Sequence, residues 1–359
     1  MRAVHALAMV AAFSVHALGV AADSPYAAVT PGRSIEFPGD YGSHPRFRTE
    51  WWYVTGWLTT RGGSESLGFQ ITFFRTKPLI DEANPSSFAA RQLLIAHCAI
   101  SDPKRGQLWQ DQRIRRAGFG LAGVVEGDTG IWVNDWVLRR EAGVYAAKIA
   151  AEDFSIDLRL SETQPPLLNG AHGFSRKGPE ISAASYYYSL PHLKVAGTIS
   201  RKGNTDSVVG EAWFDHEWSS EYLDSEAVGW NWIGINLDDG GALMAFSMRG
   251  SHGEQRWAGG TIRDPDGREQ VLQATDVNFQ ARRGWVSPRT GVAYPIAWTV
   301  HAGTRVIDIE PLLDNQENDT RLSTGAIYWE GAVRALAGGR IVGRGYLELT
   351  GYGDRLRIR

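Results

Sequence analysis

Past its first stretch, the chain alternates apolar and polar residues with a period of two, and clusters of Gly, Asp and Asn interrupt the pattern. That period is the signature of half-buried strands. Trp51 to Leu58 reads as one strand, Arg61-Gly62-Gly63-Ser64 turns it, and Leu67 to Phe74 returns. Further strands are expected at 131–137, 145–150, 154–160, 193–199, 208–213, 230–237, 242–248, 256–262, 297–300, 306–311, 326–333 and 344–349. Asp238-Asp239-Gly240-Gly241 and Asp264-Pro265-Asp266-Gly267 carry hairpin-turn chemistry. Helical patterning is confined to two short windows, Phe88 to Ile95 and Ser219 to Ala227. The fold class expected is all-β, built of antiparallel barrels or sandwiches with few short helices.

The two halves echo each other. Trp52-x-x-x-Gly56-x-Leu58, a turn and Phe69-x-x-x-Phe73 are matched by Trp230-x-x-x-Gly234-x-x-Leu237, a turn and Leu243-x-x-Phe246. Two similar barrels fit this echo. The polar run Arg201-Lys202-Gly203-Asn204-Thr205 is the expected break, giving units over 23–203 and 204–359.

The first stretch differs in kind. Met1-Arg2 precedes an apolar run to Val20, and Ala21-Ala22 supply small residues before Asp23. This reads as an export signal over 1–22 cleaved near Ala22, which makes the mature protein periplasmic or secreted. No later run is apolar and long enough to span a bilayer as a helix, so no integral span is expected in the mature chain. The 37 Lys and Arg against 40 Asp and Glu give a net charge of −3. That excludes nucleic-acid binding driven by bulk positive charge. Glycine numbers 41 of 359 residues, against roughly 25 at average usage, which agrees with many tight turns. The single cysteine, Cys98, excludes an internal disulfide and a Cys-rich zinc site.

The nucleophile elbow G-x-S-x-G, H-E-x-x-H and the P-loop are absent. Gly118 to Gly123 matches G-x-G-x-x-G by letters but lacks the strand and helix that give the motif its function, and reads as a loop. The densest polar cluster is Trp213-Phe214-Asp215-His216-Glu217-Trp218. On a strand, Phe214, His216 and Trp218 share one face, and Trp213, Asp215 and Glu217 the other. If the first face is inside a barrel, His216 lies in an apolar hollow beside Trp218. If the second is inside, two carboxyls lie there, and burial keeps one protonated and ready to donate. Two more acids stand out. Glu50 precedes Trp51-Trp52-Tyr53 and has Arg46 and Arg48 in reach as ion-pair partners, and Asp238 is either a turn residue or an acid at the strand end. Alternate rings of Tyr186-Tyr187-Tyr188 line a core and its rim.

Several blocks together resemble the AttH family of secreted bacterial proteins. In the first half these are Glu50-Trp51-Trp52-Tyr53, Gly68 to Thr76, Leu168-Asn169-Gly170 and Ala184 to Ser189. In the second they are Ala212 to Ser220, Gly229-Trp230-Asn231-Trp232, Tyr328 to Val333 and Gly345 to Tyr352. The resemblance implies two tandem lipocalin-like barrels and a relation to the carotenoid 1,2-hydratases, whose implicated groups are a His-x-Trp pair and a Tyr-x-Asp pair. His216-x-Trp218 matches the first pair. Asn236-x-Asp238 is the nearest to the second and lacks the tyrosine.

The resemblance implies an exported protein that binds a hydrophobic, lipid- or isoprenoid-like small molecule, as an accessory to an ABC-type export system. The alternative is a cofactor-free hydro-lyase that protonates and hydrates an isolated C=C bond. A secreted hydrolase ranks third. The expected catalytic set is His216, Trp218, Asp238, Asp215 and Glu217, and the expected ligand contacts are Phe214, Trp230, Trp232, Glu50, Trp52 and Tyr187. No cofactor or metal is expected.

Overall fold

The computed structural model describes residues 24–61, 63, 66–80 and 83–355. The expected export signal and its cleavage point lie outside the described residues. Two antiparallel sheets make up nearly the whole molecule, one of 13 strands and one of 10. The only helical element among the described residues is a 3-10 turn at Gly39–Tyr41. Both helical windows of the sequence are corrected. Residues 88–92 are turn, bend and irregular chain that feed the strand Leu93–Asp102, and residues 220–228 are bends, a turn at 225–226 and irregular chain. Short apolar runs cannot be told from strand by periodicity alone. No helix among the described residues is long and apolar enough to cross a membrane.

At the centre of the first sheet lie Ser66–Thr76, Thr49–Thr60, Asn204–Ser219 and Ala184–Arg201, side by side. The sheet curls until its strand Gly130–Val133 lies against Leu93–Asp102 and Gln107–Arg116. The second sheet centres on Ala242–Arg249, Gly229–Leu237, Arg340–Leu349 and Ala326–Ala337, and Val277–Val286 comes back against Ala242–Arg249. The lipocalin-like, all-β architecture is present.

The break between sheets lies elsewhere than at 203/204. Lys202 and Gly203, with φ of 46° and 81°, form a tight hairpin turn between two long strands of the first sheet. A polar, Gly-bearing run looks the same in a hairpin as in a linker. The strand Asn204–Ser219, with His216, therefore belongs to the first sheet, and the chain crosses to the second over 220–228.

This strand is buried on both faces from Ala212 to Ser219. Phe214 and Trp218 enter the core of the first barrel with Trp52, Tyr186 and Tyr188. Trp213 faces outward into a layer between the sheets, with Tyr53, Trp57, Tyr187, Trp232, Phe246 and Tyr346. A barrel wall has only one inward face, but here the outward face is covered by the second sheet. The sheets approach closely at Gly68, where a Cβ would stand 2.5 Å from Ala332 Cβ and 2.8 Å from the Tyr346 hydroxyl. Gly68→Val should therefore overpack this layer and lower stability by about 1–3 kcal/mol. An unshifted urea midpoint would rule out so tight a contact.

Candidate functional site

On the inner face, strand register builds a buried polar knot. Trp52 pairs with His216, Glu50 with Trp218, and Glu50 with Arg75 on its other side. Glu50 Oε1 accepts from His216 Nε2 at 2.9 Å and from His44 Nδ1 at 2.8 Å, and Oε2 accepts from Arg75 Nε at 2.8 Å. The His44 backbone N–H donates to both carboxylate oxygens at 3.0 Å. The Tyr188 hydroxyl, across from His216, sits 3.1 Å from its Nδ1. His44 Nε2 reaches Asp40 at 2.9 Å, and Arg33 reaches the same carboxylate at 2.8 Å. The His44 ring stacks on Trp218 at 3.7 Å, and Trp52 stacks on His216 at 4.8 Å.

The electrostatics follow from these contacts. Burial alone would raise Glu50, but the Arg75 charge and the two histidine bonds hold it well below its ordinary value. Burial lowers His216, which stays neutral and so donates from Nε2 and accepts from Tyr188. His44 is also pushed down by burial, but its bonds to Asp40 and Glu50 outweigh this and raise it. The ion pair considered for Glu50 with Arg46 or Arg48 is thus made by Arg75, which is fully buried.

The outer face carries different chemistry. Asp215 accepts from Tyr187 OH at 2.7 Å, Ser189 at 2.5 Å and Trp213 Nε1 at 2.6 Å. Trp232 Nε1 donates to the Tyr187 hydroxyl at 3.0 Å. Three donors favour the carboxylate, yet burial dominates and pushes Asp215 up to about 7. Glu217 pairs with Lys177 at 2.8 Å and accepts from Ser185, and burial nonetheless raises it. From the second sheet, Glu348 accepts from Trp230 Nε1 at 2.9 Å and is pushed by burial to about 7. Its buried neighbour Glu330 is also raised well above its ordinary value, by burial and by the Glu348 charge. Lys177 Nζ lies 4.2 Å from the Phe246 ring and 4.7 Å from the Tyr187 ring. Two clefts open at the ends of this face. One, of about 240 Å³, is lined by Thr55, Trp57, Trp213 and Asn236, and the other, of about 370 Å³, by Thr49, Ser220 and Tyr222.

The expected site residues therefore fall into two groups on opposite faces of one strand. His216, Trp218, Phe214, Trp52 and Glu50 meet inside the first barrel. Asp215, Glu217, Tyr187, Trp230 and Trp232 meet between the sheets. Asp238 joins neither. It is exposed in the hairpin turn, its N–H bonded to the Val342 carbonyl, so its role as acid is withdrawn. An exposed carboxyl also lacks the dry pocket in which an alkene could be held against it. Sequence reasoning missed His44, Asp40, Arg75 and Lys177, which reach the site from loops or facing strands. It also missed Glu330 and Glu348, whose signal was visible: Glu330 follows Tyr328-Trp329, and Glu348 stands between Leu347 and Leu349.

A family model described as AttH-like matches residues 28–352. A search of curated proteins gives no match. Among solved structures, an AttH of Nitrosomonas europaea is 52% identical, covers 91% of this chain and 100% of its own, and superposes with a TM-score of 0.86. Kievitone hydratase from Nectria haematococca is 14% identical, with 92% of this chain and 97% of its own covered and a TM-score of 0.67. CghA with Sch210972 is 12% identical, with 85% and 89% covered and a TM-score of 0.52. At those identities the last two show a shared fold.

Proposed function

The chain belongs to the AttH-like family, and on that premise we propose that the layer between its two sheets binds a hydrophobic, isoprenoid-like molecule and hydrates an isolated C=C bond by proton transfer from Asp215. The observation that carries this reading is the Asp215 carboxyl. It is buried among aromatic rings, tied to Tyr187, and pushed up to about 7, so near neutral pH it still holds a proton to give.

The step balances. The alkene π pair takes the Asp215 proton and forms a C–H bond, leaving a tertiary cation on the neighbouring carbon. The faces of Trp213, Trp232 and Tyr187 supply cation–π stabilisation in a dry layer. A water adds through its oxygen, and its surplus proton returns to the Asp215 carboxylate. Lys177 balances Glu217 beside it, so the second carboxylate adds little field against the first. The kievitone hydratase likeness supports the fold for such a reaction.

Solvent deuterium tests the proposal. Acyclic isoprenoids with a terminal trisubstituted alkene, incubated with the protein in D2O, should gain one deuterium at the protonated carbon and one oxygen from solvent. Substrates recovered without either label would remove the lyase reading.

A second reading is favoured by the flexible lining of the same layer, Met244, Phe246 and Met248, which adapts to varied apolar shapes. In that reading the protein is an exported carrier that serves an ABC-type system, in the periplasm or outside the cell. A lipid retained through purification and released by organic extraction, with no deuterium gained, would favour it.

A further inference from the structure

We propose that His44, Glu50 and His216 form a binding site for one divalent transition metal of the Zn²⁺ class inside the mouth of the first barrel. The site does not rest on the reading above, because it lies on the opposite face of the strand from Asp215.

The geometry carries the inference. His44 Nδ1, His216 Nε2 and one Glu50 oxygen all lie within 4.8 Å of one another. Both imidazoles aim at the same oxygen, Oε1, while Oε2 is held by Arg75. In a tetrahedral site with bonds of about 2.0–2.1 Å, ligand atoms are spaced about 3.3 Å apart. The two nitrogens lie 2.8 and 2.9 Å from Oε1, so outward shifts of about 0.5 Å, with the proton on His44 Nδ1 released to solvent and the His216 proton moved from Nε2 to Nδ1 facing the Tyr188 hydroxyl, convert two hydrogen bonds into a two-His, one-carboxylate set.

The outer contacts have the form that metal-bound histidines take, with the far nitrogen tied to a carboxylate or another oxygen. His44 Nε2 meets Asp40 at 2.9 Å, and His216 Nδ1 meets the Tyr188 hydroxyl at 3.1 Å. Asp40 is itself fixed by Arg33 and by the Glu36 N–H, which makes it a rigid second partner.

Charge is the term to be met. Asp40 and Glu50 already balance Arg33 and Arg75, so the ion adds its own charge and calls for an oxygen anion in the open position. Donors for such an oxygen exist in the same cluster. The indole N–H groups of Trp52 and Trp218 and Nη1 of Arg75 are buried and have no partner among the described residues. Access is from the mouth, where the His44 side chain keeps 10% of its exposure and Arg33 keeps 36%.

The test uses the full exported chain, stripped with chelator and titrated with Zn²⁺ against a colorimetric indicator, and separately with Co²⁺. The expected result is one ion per chain and the visible absorption of low-coordinate Co²⁺. His44→Ala should lose the absorption and bind at least about 100-fold more weakly, and Asp40→Asn about 10–100-fold more weakly. His192→Ala, at the distant His192–Glu211 pair, should bind as wild type. Circular dichroism on each variant separates loss of binding from loss of fold. The proposal is overturned if the stripped protein leaves Zn²⁺ on the indicator, or if folded His44→Ala binds as wild type.

Discussion

Asp215→Asn should cut alkene hydration by at least about 10²-fold, the usual share of a general acid, while making the protein more stable at neutral pH. Both effects come from one carboxyl. Asparagine keeps an oxygen for Trp213 Nε1, and the Ser189 and Tyr187 hydroxyls can rotate to meet its amide. It has no acidic proton, so the first step of the reaction is lost. The stability sign follows from linkage. Asp215 goes from 3.8 to about 7 on folding, so its contribution is fully present below the lower value and drains away as pH rises through the higher one. Over that span the wild type loses on the order of 4 kcal/mol, and the variant does not. Melting curves should coincide below pH 3.8, separate as pH rises from there to about 7, and stay apart above it, with Asp215→Asn the higher. A variant that keeps wild-type turnover, or one that melts lower at pH 8, would remove Asp215 from the acid's role.

The fold was legible because period-2 patterning and turn residues are local. The strand Trp51 to Leu58 lies inside Thr49–Thr60, and Leu67 to Phe74 inside Ser66–Thr76. The alternation of the strand around His216 was legible too, down to which residues share a face. What the sequence could not say is what covers each face. Asp215 and Glu217 are bonded to Tyr187 and Lys177, which meet Trp232 and Phe246 in turn, and those two rings follow them in the chain but belong to another sheet. Likewise Glu50 finds Arg75 through strand pairing and His44 through the loop that precedes its own strand. Ion pairs between neighbours in sequence, such as Glu50 with Arg48, are the ones patterning suggests. Arg48 lies before the strand Thr49–Thr60 begins, whereas Arg75 is paired directly across from Glu50 and is fully buried beside it.

Glu50→Gln should destabilise the protein by about 3–5 kcal/mol, because it leaves the Arg75 guanidinium buried without its counter-charge. Gln keeps the size of the side chain, so the loss is electrostatic rather than a cavity. Its oxygen can still accept one histidine bond. It cannot accept from His216, His44 and Arg75 at once with the strength of a carboxylate. Arg75 also donates to the carbonyls of His44 and Phe47 at 2.9 and 3.0 Å, so the unpaired cation keeps part of its shell. Removing both charges in Glu50→Gln with Arg75→Met should therefore recover part of the loss, and a double-mutant cycle should give a favourable coupling. The pH dependence has the opposite sign from Asp215. Glu50 is depressed below 4.5 on folding, so its stabilisation is present above that value and is lost as pH falls through the folded one. Guanidinium denaturation should show wild type and Glu50→Gln far apart near neutrality and converging in acid. Wild type and Asp215→Asn also converge in acid, but above it the variant is the more stable partner. Two carboxyls on adjoining strands then respond to the same pH rise in opposite directions, because one faces Arg75 and the other a layer of aromatic rings. Equal stability of Glu50→Gln and wild type at neutral pH would mean that Glu50 carries no charge in the folded protein, and the buried pair would have to be reassigned.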